Sequence, residues 1–213
     1  MLAKQDLVWW NMLMSHNPHR RRFLGQSLCV ATGFVGGSLL TSDYRSWLPG
    51  GQMALADDAA TPEQRLRQLG IVLPPAPKPV AVYVPTVQTG NLLFASGHGP
   101  VGPDGKLVIG RVGSDLTMQQ GYQAARLTAL AMLSSMRGAL GSLDKVARLV
   151  KVTGMVNCTS SFTQQPEVIN GFSELMVQVF GEIDGKGARS AVGMGSLPRN
   201  IPVEIEAIFE TRA

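Results

Sequence analysis

Val168, Ile169, Phe172, Leu175, Met176, Val179 and Phe180 recur at helical spacing and stop at Gly181. A stripe this regular predicts one amphipathic helix, and its apolar face must be buried against another layer. Ser161-Phe162-Thr163-Gln164, just ahead of the stripe, has the form of a capping box and is expected to start the helix. Thr117-Met118-Gln119-Gln120 is a second box of the same form. It opens a helix carrying Ala124, Leu127, Leu130, Ala131 and Leu133, mostly on one side, to near Gly138.

Strands are expected around these helices at 80–84, 91–96, 107–109, 146–156, 190–194 and 203–209. Thr89-Gly90 and Pro103-Asp104-Gly105 supply the turns of an N-terminal meander. In the last strand Val203, Ile205, Ala207 and Phe209 share one face. Two one-faced helices among such strands predict an α+β fold: an antiparallel or mixed sheet with both helices packed on one face. The other sheet face then needs a cover, and a second copy of the subunit is the economical one.

Ahead of this domain the chain changes character. Arg20-Arg21, followed after one residue by Phe23-Leu24, opens a mildly apolar run diluted by Gly25, Gly33, Gly36 and Gly37. Paired arginines before a weakly hydrophobic run read as a twin-arginine export signal. Ala54-Leu55-Ala56 fits the small-x-small rule for cleavage before Asp57. Residues 1–56 are therefore expected to be a signal peptide read by the twin-arginine export machinery. The mature protein is placed in the periplasm, or on the membrane if the leader is retained. Leu28 before Cys29 argues against a lipoprotein, and Cys158, the one cysteine left after cleavage, is expected to be buried. Residues 57–79 read as a lead-in with a short helix around 61–69 and a proline cluster, Pro74-Pro75-Ala76-Pro77. The folded domain is expected over 80–213.

The net charge of +4 sits mostly in the leader, where five basic residues face two acidic ones. Residues 57–213 hold 14 basic against 13 acidic side chains, too even a balance to build a nucleic-acid-binding face. Gly97-His98-Gly99-Pro100-Val101-Gly102 matches a dinucleotide-binding pattern in form only. Pro100 and Pro103 forbid the helix whose N-terminus would hold the phosphates. Ser96 and His98 could be imagined as nucleophile and base, but no third group orients them. With one His and one Cys after Ala56, a metal site is not expected, nor is a cofactor.

By residue type alone, Arg189 reads as a surface arginine in an ion pair, and Glu204 and Glu206 as solvated positions on an edge strand. A resemblance gives them another meaning. Tyr83-Val84, Gly90-Asn91, Ala95-Ser96-Gly97, Asn170, Ala188-Arg189-Ser190, Leu197-Pro198 and Val203-Glu204-Ile205-Glu206-Ala207-Ile208 stand in order along residues 83–210. In these segments the chain resembles the reactive-intermediate deaminase family, called RidA or YjgF and also labelled endoribonuclease L-PSP-like. The resemblance implies a chorismate-mutase-like fold assembled as a homotrimer, with sites in the clefts between subunits. It also implies hydrolysis of small enamine or imine carboxylates to 2-keto acids and ammonia. Arg189 then matches the arginine that clamps the substrate carboxylate, and Glu204 the acidic residue beside the attacking water. Tyr83, Ser96 and Asn170 match residues lining the cleft. Ala191 stands where many members carry a cysteine, so thiol behaviour is not implied. The alternatives are a non-catalytic trimer that binds small carboxylates and, disfavoured by the even charge, an endoribonuclease.

Overall fold

The computed structural model describes residues 60–77 and 81–212. The stretch expected to be a twin-arginine leader, its expected cleavage site and Val80 lie outside the described residues. The elements are α1 (Pro62–Gln68), β1 (Thr86–Thr89), β2 (Leu92–His98), α2 (Met118–Leu140), β3 (Val146–Asn157), α3 (Gln165–Phe180), β4 (Ala188–Met194) and β5 (Val203–Thr211). The sheet order is β1-β2-β5-β3-β4. β5 runs antiparallel to both of its neighbours, while β3 and β4 are parallel. A parallel pair needs a crossover, and α3 supplies it.

One face of the sheet is buried beneath α2 and α3. Leu93, Ala95, Leu149, Val152, Val156, Val203, Ile205, Ala207 and Phe209 meet Met132, Leu133, Met136, Ile169, Phe172, Leu175, Met176 and Val179 in a single core. The two helices approach so closely at Gly171 that a Cβ there would collide with the Tyr122 carbonyl oxygen. Cys158 is buried as a free thiol. On the opposite face Val87, Phe94 and Val192 stay between 40 and 52% exposed, so among the described residues that face has no full cover.

Residues 60–77 of the lead-in pack onto this body. Thr61 caps α1 with a reciprocal box to Gln64, and Leu66 is buried in the core. The Glu63 carboxylate receives Arg137 Nε and Nη2 at 3.0 and 2.7 Å and the Leu143 amide at 3.1 Å, tying α1 to the end of α2.

Several boundaries differ from expectation, each for a local reason. Residues 81–85 form no strand, and pairing begins at Thr86, after Pro85, which has no amide to donate. The stretch 107–109 contributes only an isolated bridge from Leu107 to Val101, so the meander is a β1–β2 hairpin and β2 finds its second partner in β5. The box at Ser161 does not form. α3 is capped from Gln164, without a side-chain bond, because Pro166 is tolerated in a first turn and would break the helix ladder if it began at Ser161. α2 runs past Gly138 to Leu140 and ends on Gly141 at φ 82°. β4 starts at Ala188, which places Arg189 inside the strand. β5 is a central strand, so Glu204 and Glu206 do not lie on a sheet edge.

Candidate active site

Arg189 is positioned by the β3–β4 register. It pairs with Val152, whose side chain is buried beneath the helices, so the arginine extends along the helix-covered side of the outermost strand. There its Nη1 donates to Asn170 Oδ1 at 2.8 Å and to Ser173 Oγ at 3.0 Å, both on α3. Among the described residues no carboxylate meets it, so the ion pair expected of a surface arginine does not form there. Among the described residues its Nε and Nη2 have no partner, leaving a planar edge of donors suited to a ligand carboxylate. Ser173 was not singled out in the sequence. Its one signal is its place three residues after Asn170, one turn along the same helix face.

Glu204 belongs to a different group. It pairs with Met155 on the uncovered sheet face, next to the buried Val203 and Ile205 of the other face. Its Oε1 lies where the Cβ of any residue but glycine at position 97 would sit, so the carboxylate rests directly on the β2 backbone. Burial raises its pKa, and the neighbouring charge of Glu206 raises it further. Ser96 precedes Gly97 and donates its hydroxyl to the Val84 carbonyl at 2.7 Å, which fixes the segment carrying the half-exposed Tyr83.

Ser96 and His98 do not form a nucleophile–base pair. The His98 ring bonds to the Ser96 carbonyl and to Ser135, while the Ser96 hydroxyl is turned to Val84. No group of three His, Cys, Asp or Glu able to hold a metal ion occurs among the described residues.

The five candidate residues therefore fall into two groups. Arg189 and Asn170 meet on the helix side of β4. Tyr83, Ser96 and Glu204 gather at β2 and the start of β5. β5 and β4 are separated by β3, a spacing of about 10 Å, and β2 lies about 14 Å from β4. Arg189 and Glu204 also project from opposite faces of the sheet. A substrate of a few atoms cannot touch both groups within one chain.

A YjgF/chorismate mutase-like endoribonuclease family model matches residues 63–203. The Trypanosoma cruzi protein TCP17 is 45% identical over 145 residues, 68% of this chain and 91% of that protein. The crystal structure of Atu1372 from Agrobacterium tumefaciens, a protein of unknown function, superposes with a TM-score of 0.65 at 44% identity, covering 71% of this chain and 92% of that one. The 2-iminobutanoate/2-iminopropanoate deaminase of Escherichia coli K12 is 28% identical over 137 residues, 64% of this chain and 93% of that enzyme.

Proposed function

This chain belongs to the YjgF/chorismate mutase-like family, and from that premise we propose that it hydrolyses small imine or enamine carboxylates to 2-keto acids and ammonia in clefts between the subunits of a homotrimer. The observation that carries the reading is the division of the candidate residues. Each chain presents a carboxylate-gripping half, Arg189 with Asn170, and a proton-handling half, Glu204 with Ser96 and Tyr83. A heterologous contact between copies brings one half of each subunit against the other half of its neighbour, and a ring of such contacts closes. The same contact covers Val87, Phe94 and Val192.

In such a cleft the free Nε and Nη2 edge of Arg189 takes both oxygens of the substrate carboxylate and aims the imine carbon at the partner's carboxyl. Water adds to that carbon of the protonated imine, and Glu204 accepts a proton from the water as the C–O bond forms, giving a neutral carbinolamine. It returns that proton to nitrogen, takes up the hydroxyl proton as the C–N bond breaks and the carbonyl forms, and passes it to the departing ammonia, which leaves as ammonium. A carboxyl whose pKa is raised is a stronger base than an ordinary carboxylate, which favours taking the proton from water. A trimer that only holds carboxylates would use the Arg189 half and leave Glu204 idle. Release of ammonia from 2-iminopropanoate, accelerated by wild-type protein and not by the Glu204→Gln variant, separates the two. Equal rates for both would sink the hydrolytic reading.

The raised pKa also has a consequence for stability. The folded state holds the Glu204 proton more tightly than the unfolded chain, so this carboxyl lowers stability as pH rises from its ordinary value through its raised one. Above the raised value the cost is fully present. Glu204→Gln is therefore expected to be more stable than wild type at pH 7, with the advantage vanishing below about pH 4. The same variant loses turnover by about 10²- to 10⁴-fold. Denaturant unfolding at the two pH values, beside the ammonia assay, checks both.

A further inference from the structure

We infer that His98 is a positioning residue that fixes the β2 backbone on which Ser96, Tyr83 and Glu204 are arranged; the inference rests on the proposed reading in giving Glu204 a part in turnover. His98 is 5% exposed and ends β2. Its Nδ1 lies 2.6 Å from the Ser96 carbonyl oxygen. A carbonyl only accepts, so Nδ1 carries the proton and donates. Nε2, bare in a neutral ring, accepts from Ser135 Oγ on α2 at 2.9 Å. Burial holds the ring below its ordinary pKa, which keeps this tautomer neutral.

What the ring holds is an irregular piece of strand. β2 pairs with β5 at Ala95–Ala207 and again at His98–Ile205. Ser96 and Gly97 thus stand opposite the single residue Glu206, which is a β-bulge. A bulge loses ladder bonds and needs other restraints, and the imidazole supplies one from inside the core.

Two consequences leave this bulge. The Ser96 amide donates to the Pro85 carbonyl at 2.9 Å and its hydroxyl to the Val84 carbonyl at 2.7 Å, so the segment bearing Tyr83 follows Ser96. Gly97 is the surface on which the Glu204 carboxylate rests. One ring, held by α2 on one side and by the Ser96 peptide on the other, therefore sets the proton-handling half of the cleft. The Arg189 half lies two strands beyond β5 and shares none of these bonds.

The two amide replacements of histidine separate positioning from packing. In His98→Asn the side-chain nitrogen falls where Nδ1 lies and can still donate to Ser96. In His98→Gln the nitrogen reaches the place of Nε2 and the bond to Ser96 is lost. For 2-iminopropanoate hydrolysis, His98→Gln is expected to lower kcat about tenfold or more with KM within about twofold of wild type, and His98→Asn to recover most of kcat. Carbon-13 titration of the Glu204 carboxyl gives a readout that does not need turnover. The raised pKa should fall toward the ordinary range in His98→Gln and stay raised in His98→Asn. Indistinguishable Gln and Asn variants, or a change confined to KM, would overturn the inference. If wild-type protein releases no ammonia while the titration still separates the variants, His98 keeps its positioning role and the deaminase reading is what fails.

Discussion

Replacing Arg189 with alanine is expected to lower kcat/KM for 2-iminopropanoate by about 30- to 5,000-fold. In the proposed cleft the change removes a charged, two-pronged partner of the substrate carboxylate, and losing such a partner costs about 2–5 kcal/mol. Its hydrogen bonds to Asn170 and Ser173 occupy Nη1 alone, so they orient the guanidinium without consuming the edge that would meet the ligand. Arg189→Lys keeps the charge but not the planar fork, and should recover only part of the activity. The side chain is exposed and on an edge strand, so neither change should alter the melting temperature by more than a degree or two, taking surface substitutions at about 0.5 kcal/mol. Steady-state kinetics with thermal unfolding of the same preparations tests both halves of this expectation.

The largest effect on stability is expected at Gly171. Alanine is the better helix former by about 1 kcal/mol, and on propensity alone Gly171→Ala would stabilise α3. The contact decides otherwise. The added methyl would strike the Tyr122 carbonyl oxygen, with the Tyr122 carbonyl carbon at 2.9 Å and the Arg126 amide nitrogen at 3.2 Å behind it. These are backbone atoms of α2, so no side chain can rotate away. The helices must separate, and with them the core residues Phe172, Leu175 and Met132, which are fully buried at this seam. Overpacking of this kind costs about 1–3 kcal/mol and more where backbone must move. A net loss of about 2 kcal/mol or more is expected, a fall of roughly 4–8 °C for a domain of this size. An unchanged melting temperature would mean that α2 and α3 lie farther apart than described.

Much of this architecture was legible in the sequence because it is carried by periodic burial. The stripe from Val168 to Phe180 and the alternation from Val203 to Phe209 each state which face is inside, and both are buried as read. What could not be read was chiefly where pairing starts and stops. The strand expected at 80–84 starts instead at Thr86, since apolar residues before Pro85 look strand-like while the missing amide is a matter of partners. The Ser161 box was overruled by Pro166, five residues on, because a capping signal says nothing about the helix ladder beyond it. For the site, residue likeness selected Arg189, Asn170, Ser96, Tyr83 and Glu204. The register then divided them between two sheet faces, which no spacing in the sequence expresses. Ser173 and the bulge at Ser96–Gly97 were missed because both arise from contacts between elements.

The proposed cleft takes Arg189 from one subunit and Glu204 from another. Mixing the Arg189→Ala and Glu204→Gln proteins, unfolding and refolding them together, and assaying ammonia release tests it most directly. Each variant alone should be inactive. In a random one-to-one mixture, clefts that pair an intact Arg189 with an intact Glu204 arise one time in four, so about a quarter of wild-type activity should return. A mixture that co-assembles yet stays at the level of the separate variants would contradict the account and place the two residues in the same subunit's chemistry.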